Sequence, residues 1–597
     1  MNTLQKYEKY LYAIIFLGAI IYFPIFFNGF VWDDIDYILT NPQVHQLNLP
    51  VLFGQSLFNS GPFYRPIPAV YFAIVYSLFG QHAFMYHLLQ LILHLADTSL
   101  LFLFLCIFFS DGIGFFLALL FLVHPINVES VAYIGSTQSE LYFLPGIIAL
   151  LLSQTKDITR KRLFWITGLL LFSALTKETG FLFILLAIAS RYLFKLGKVK
   201  EFLLSGASIV TVYGVLRVLL GGVTFSGSNI VPIATLSLPQ RLLNIPSIVF
   251  YYLKTFVFPL QLTIEQSWIV NSMSFQDFIL PFIVCLVFMI AVIYFALALS
   301  KRPRDQQHVK QKYQKEYLLE KEITIQEFLF FALWFVIGMG IILQIVPLDM
   351  TVADRWFYFP IVGLLGMIGV ALQVLLPSIR QHFKSYLYTV LIIVCLLSVR
   401  TFIRTFDWKN ELTIYADAQH ASSNNYMLDN AYAIELFNSG QHDKAITYDK
   451  QSIAIYPSII NIRLLADFYK NLHQDNDAIR TYNQAINYYK PDVRDNLKGF
   501  VQREDDDLEN VYNSLAYEYL ATNDSNDAIS LITTKALMKF PNDPDLYVSL
   551  AIAYSKLGNH DQAMNAISKA RNLRPDQYTN TIYTQIENNT LLNNLNY

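Results

Sequence analysis

The chain has 597 residues, 54% of them hydrophobic and only 15% charged, whereas an average soluble protein carries about 25% charge, so lipid must solvate much of it. The formal net charge of −2, with no zinc-finger pattern or arginine-rich arm, argues against nucleic acid as a partner. The three cysteines, Cys106, Cys285 and Cys395, each lie in an apolar run, which excludes a disulfide framework and a cysteine-based zinc site.

The first apolar run, Leu11 to Phe27, follows Lys6 and Lys9 as a signal peptide would. It lacks a small-residue cleavage pattern and runs on through Tyr22, Phe23 and Pro24, so it reads as a retained helix. Immediately beyond it stands Phe30-Val31-Trp32-Asp33-Asp34-Ile35-Asp36. Adjacent carboxylates at a membrane surface are costly unless water, a cation or a substrate uses them. One of them, screened from bulk water, could take the proton from a hydroxyl as that oxygen attacks a sugar carbon. Inverting transfer needs a single base of this kind, because a leaving phosphate departs without an acid.

Further along come Tyr64-Arg65-Pro66, Thr176-Lys177-Glu178, and Asp349 with Asp354-Arg355. Their cations could hold a phosphate, arginine through two parallel bonds and lysine as a point charge. His87, His94 and Asp97 share one face of a helix, and His124 precedes Pro125 with Glu129 and Glu140 nearby. A His/Glu metal site is conceivable there, but histidines hydrogen-bonded between helices are the simpler explanation.

Basic residues alternate between loops, which sets orientation. The N-terminus with Lys6 and Lys9, Lys156 with Arg160 to Arg162, Arg191 to Lys200, Lys301 to Lys321, and Arg380 with Lys384 are placed in the cytoplasm. About eleven spans fit this alternation: 10–28, 82–109, 112–124, 137–153, 162–176, 178–195, 202–221, 275–299, 327–346, 355–376 and 384–402. An odd number takes the C-terminus outside. The apolar runs 64–80 and 245–260 contain prolines and are expected to be broken, interfacial or re-entrant helices. The expected organisation is a transmembrane domain, 1–405, with a first outer loop 29–81, an outer loop 222–274 and a cytoplasmic loop 300–326, followed by an extracytoplasmic domain, 406–597.

After Trp408 the composition turns polar and a 34-residue period of paired helices appears, the tetratricopeptide pattern. In the clearest unit Tyr547, Leu550, Ala551, Tyr554, Ala563, Ile567, Ala570 and Pro575 take the packing positions, and further units align on Ala445, Ala478 and Ala528. The repeats fall near 426–458, 459–492, 509–542 and 544–577, with a spacer from Pro491 to Leu508 expected to be solvated because of its acidic run Glu504 to Asp507. Small alanines let paired helices approach, bulky tyrosines and leucines fill the gap to the next pair, and the stack offers a concave groove for an extended peptide. The fold class is therefore all-α, a polytopic membrane bundle followed by an α-solenoid.

These pieces resemble the TMTC family, protein O-mannosyltransferases that join a GT-C type membrane domain to tetratricopeptide repeats. The matching residues run in order: Trp32-Asp33-Asp34 with Asn41-Pro42, Tyr64-Arg65-Pro66, His87-Leu88-Leu89 leading to His94, His124-Pro125-Ile126-Asn127-Val128-Glu129-Ser130-Val131, Thr176-Lys177-Glu178-Thr179-Gly180, Tyr251-Tyr252-Leu253-Lys254 with Phe258-Pro259, Ala353-Asp354-Arg355 with Tyr358-Phe359-Pro360, and Phe406-Asp407-Trp408-Lys409-Asn410-Glu411. The resemblance implies transfer of a monosaccharide, mannose for that family, from a polyprenyl- or dolichyl-phosphate carrier to Ser or Thr of exported polypeptides presented by the repeats. It implies Asp33 or Asp34 as the catalytic base and Arg65, Lys177 and Arg355 as holders of the lipid phosphate. Trp32, Tyr64, His124, Glu129, Glu178 and Asp354 are expected to line the substrate pocket. No cofactor or resident metal is required, although a divalent cation would be compatible with the chemistry. The family's Gly-Arg before an acidic residue is replaced by Ile134-Gly135-Ser136-Thr137-Gln138, which leaves acceptor and sugar open. The same chemistry on a surface glycan or lipid, and a non-catalytic membrane scaffold, remain alternatives at this stage.

Overall fold

A computed structural model describes residues 3–54, 63–220, 232–262, 264, 266–270, 272–301, 325–375, 383–421, 425–489 and 498–590. These residues are overwhelmingly helical, with a single antiparallel bridge between Gln266 and Val352. They form two compact units, Met1–Ser423 and Asn424–Tyr597.

In the first unit, Ala83–Phe108, Val199–Leu220, Phe275–Ser300 and Lys384–Asp407 are long and apolar enough to cross a membrane. Asp111–Val123 and Pro125–Ala132 qualify together but are bent by 51° at His124-Pro125. Other elements in the expected series of about eleven, such as Gln138–Ser153 and Phe181–Leu193, are shorter helices. Polar breaks at Tyr133 to Thr137 and at Lys177 to Gly180 lie immediately before them. The expected break at the prolines of these two runs, 64–80 and 245–260, is corrected. Pro66 starts the helix Pro66–Phe79 from its first position, where its fixed φ is suited to initiation, and Leu238–Val257 continues through Pro246. The loop 300–326 lies almost wholly outside the described residues.

Side-chain burial separates inner from outer helices. The apolar stretch of Ala83–Phe108 is 56% buried, whereas Phe275–Ser300 and Lys384–Asp407 are each 6% buried, so the latter two present their apolar surface to lipid. The interior is dense with aromatics, among them Phe104, Phe108, Phe121, Phe143, Phe183, Phe331 and Trp334. Close approach of Pro360–Val374 to Ile325–Gly340 depends on glycine. A Cβ on Gly363 would fall 2.3 Å from the Phe335 nitrogen, and one on Gly366 2.0 Å from the Phe331 ring. At the lysine-rich end, fully buried Arg191 donates to the carbonyls of Ser153, Lys156 and Gly197 at 3.0, 3.3 and 2.7 Å, and to those of Thr155 and Leu196. One guanidinium thus satisfies two chain reversals.

The membrane unit extends to Ser423 rather than ending at 405. Arg404 pairs with Asp407 at 3.1 Å and with Asp417, and Trp408 is fully buried against Tyr133 at a centroid distance of 5.7 Å. These contacts fasten Glu411–Ala421 to the bundle.

The second unit is a stack of helix pairs: Tyr426–Asn438 with His442–Ile455, Ile459–Asn471 with Asp475–Tyr488, Lys498–Ala521 with Ser525–Leu531 and its continuation to Lys539, and Pro544–Lys556 with His560–Leu573, closed by Gln577–Glu587. Ala445, Ala478, Ala528 and Ala563 are all fully buried at the crossings. The spacer is corrected in part. From Lys498 it is helix, and two of its acidic residues have partners: Asp505 accepts from Tyr489 at 2.6 Å and pairs with Lys539 at 2.7 Å, and Asp507 pairs with Arg463 at 3.3 Å.

Candidate active site

The segment after the first helix is fixed by its backbone. Asn28 donates its side-chain amide to the Thr405 carbonyl at 3.0 Å, and the Gly29 N–H bonds the Lys409 carbonyl at 3.0 Å. Trp32 then adopts φ +54°, left-handed for a bulky residue, a strained conformation that persists only when its surroundings hold it. Its N–H donates to Glu411 at 3.2 Å.

This turn sends the two neighbouring carboxylates to different environments. Asp34 is fully buried, with one oxygen accepting the Val31 N–H at 2.9 Å and the other the Gly135 N–H at 2.6 Å. It therefore knits the first loop to the Tyr133–Thr137 loop. Asp33 accepts the Tyr133 hydroxyl on one oxygen at 3.0 Å, and its second oxygen takes no bond from the described residues. Burial raises its carboxyl to about 6, a shift moderated by Arg355 and the Tyr133 bond. Aromatic rings wall this spot: Trp32 lies 5.3 Å from Tyr133, and the Arg355 guanidinium sits 5.2 Å over Trp32 and 5.7 Å over Tyr133.

The three expected phosphate holders are not equivalent. Arg65 donates from Nε and Nη2 to one oxygen of Glu178 at 2.8 and 2.6 Å and from Nη1 to Gln138 at 2.7 Å. Burial alone would raise Glu178, yet Arg65 outweighs it and holds the carboxyl below its usual range. Arg355 is bound twice by Glu129, through its backbone N–H at 2.8 Å and through its guanidinium. Glu129 and Glu178, expected in the pocket, are thus the partners of the two arginines. Lys177 has no carboxylate partner among the described residues and donates to Ser139 at 3.1 Å. Burial, reinforced by Arg65 and Arg355, lowers it to about 7. With both arginines neutralised, Lys177 supplies the cluster's uncompensated positive charge.

Three further expectations are revised. His124 accepts the Ile126 N–H on Nδ1 at 3.2 Å, places Nε2 3.0 Å from the Phe256 carbonyl, and stacks on the Phe256 ring at 5.2 Å; both nitrogens are used, so it caps a bend and has nothing left for a substrate. Tyr64 donates to the Phe53 carbonyl at 3.0 Å, and Asp354 accepts from Tyr251 at 2.5 Å. His87 approaches the Gly29 carbonyl at 3.4 Å, whereas His94 meets the Tyr358 hydroxyl at 3.0 Å, which donates to Asp97 at 2.8 Å. Within the stripe, His94 and Asp97 thus meet at the Tyr358 hydroxyl, while His87 turns to the first loop. Sequence reasoning missed Tyr133, Gln138 and Ser139. All three lie in or beside the segment that departs from the family pattern, and no spacing rule marks them.

A tetratricopeptide repeat family description matches residues 519–583. The human protein O-mannosyl-transferase TMTC3 is 24% identical over 92% of this chain and 63% of its own length. A Caenorhabditis elegans protein O-mannosyl-transferase is 25% identical over 68% of this chain and 57% of its own. Human TMTC2 is 32% identical over 22% of this chain and 17% of its own. The chain thus spans under two thirds of the length of these relatives. Among solved structures, a crystal structure of MamA overlaps 29% of this chain and 90% of its own, at 19% identity and a TM-score of 0.24. With its apolar bundle and its repeats taken together, the chain is TMTC-like, similar along nearly its whole length to protein O-mannosyl-transferases.

Proposed function

We propose that this membrane protein transfers mannose from a polyprenyl-phosphate carrier to a Ser or Thr hydroxyl of an exported polypeptide, with inversion, at the bundle end that holds Asp33. The observation that carries this reading is the division of labour between Asp33 and Asp34, one carboxylate with an open oxygen beside Arg355 and the other consumed by two backbone N–H groups. The relatives' names supply the sugar and the acceptor class.

In the proposed step Asp33 takes the acceptor hydroxyl proton, the oxygen forms its bond to the anomeric carbon, and the carbon–phosphate oxygen bond breaks with its electrons going to the carrier phosphate. A carboxyl near 6 is a stronger base than an ordinary aspartate and is still largely ionised at neutral pH. Lys177 holds the charge that grows on the phosphate, where a preorganised cation in a water-poor site acts strongly. Arg65 and Arg355, fixed by their carboxylates, shape the walls. The repeat groove presents the polypeptide. The test is mannosyl transfer by the full chain in liposomes with a polyprenyl-phosphate mannose donor and a Ser/Thr-rich acceptor peptide, comparing wild type with Asp33→Asn.

A further inference from the structure

Two cations outside this cluster flank one turn. At the end of Leu238–Val257, Lys254 donates to the Gln261 side chain at 3.0 Å, and from the last membrane helix Arg400 donates to the Leu260 carbonyl at 3.3 Å. Neither has a carboxylate partner among the described residues. The turn between them exposes Val257, Phe258 and Leu260 by 62, 65 and 71%, an apolar tip of the kind that enters a bilayer. Arg400 stands in the lipid-facing stripe of Leu396, Val399 and Ile403, about 10 Å short of the helix end at a rise of about 1.5 Å per residue. At that depth an arginine is costly unless an anion or carbonyls meet it. Tyr251, one turn before Lys254, bonds Asp354, so this turn lies at the same end of the bundle as Asp33.

We propose that Lys254 and Arg400 clamp the phosphate of an anionic bilayer phospholipid whose chains lie beside Phe258 and Leu260. The site opens sideways onto the apolar helix surface, unlike the walled Asp33 cluster, which favours an ordinary bilayer lipid over the sugar carrier.

The test is native mass spectrometry of the full chain after reconstitution in mixed phosphatidylcholine and phosphatidylglycerol. Wild type should retain phosphatidylglycerol over phosphatidylcholine, and the Lys254→Ala/Arg400→Ala pair should lose this preference by roughly thirtyfold, since each cation near a charged surface contributes about a fivefold share of the attraction. The charge-preserving Lys254→Arg/Arg400→Lys pair should keep it, with an unchanged melting temperature. Added inorganic phosphate should not release the lipid. No preference in the wild type, equal retention by the alanine pair, or release by inorganic phosphate would each overturn the proposal.

Discussion

The Tyr133 hydroxyl donates to Asp33 at 3.0 Å, joining residues a hundred positions apart at the one carboxylate of the first loop that keeps an oxygen open. A hydrogen bond to the ionised form favours that form. Tyr133→Phe should therefore push the Asp33 carboxyl above about 6 and move the acid limb of the pH–activity profile upward. It should also lower transfer at neutral pH. A pH profile of kcat/KM on reconstituted protein measures the shift.

The alkaline limb should belong to Lys177. Its ammonium form is present below about 7 and is lost as pH rises, so kcat/KM for the carrier should fall above that value while Asp33 sets the rise below it. The result is a narrow bell. Lys177→Arg should hold the cation at all accessible pH and flatten the alkaline side, with kcat altered less than KM. An unmoved alkaline limb would remove Lys177 from phosphate binding.

The arginine pairs should behave as structure. Glu178→Gln leaves the mostly buried Arg65 without its anion, and because Glu178 itself is 38% exposed the loss should fall below the about 3–5 kcal/mol of breaking a fully buried pair. The Arg65→Met/Glu178→Gln double variant should recover much of that loss. A double-mutant cycle on thermal stability reads the coupling, and additive losses would show that the pair is not a unit. Glu129 with Arg355 should respond the same way.

Within the repeats, Asp449 is fully buried with both oxygens unpartnered among the described residues, and burial raises it to about 8. The folded state thus binds a proton more tightly than the unfolded chain, whose carboxyl titrates near 3.8. Its stability falls as pH rises between those values and levels off above about 8. Asp449→Asn should stabilise the repeats by about 1–3 kcal/mol at high pH and much less at pH 4. Melting curves of the full chain across pH show whether this slope disappears.

The sequence exposed what depends on local pattern. Carboxylates just past an apolar run, cations near membrane ends, and alanines spaced for paired helices were all legible. Which aspartate is spent on structure was not, because the Gly135 N–H that binds Asp34 comes from a hundred residues away. Separations of 113 and 226 positions likewise hid the true partners of Arg65 and Arg355, in Glu178 and Glu129. His124 misled because a histidine with Glu129 and Glu140 nearby suggests chemistry, while its capping bond to Ile126 is a backbone event. The acidic spacer looked solvated because its partners, Lys539 and Arg463, belong to other helices.

The most direct test is to compare Asp33→Asn and Asp34→Asn for mannosyl transfer and thermal stability in the same liposomes. Asp33→Asn should melt with the wild type and lose about 10²- to 10⁴-fold in kcat. Asp34→Asn should melt earlier, because its amide would face a backbone N–H and leave a buried donor unmet at a cost of about 1–3 kcal/mol. Full transfer by a well-folded Asp33→Asn protein would contradict Asp33 as the base.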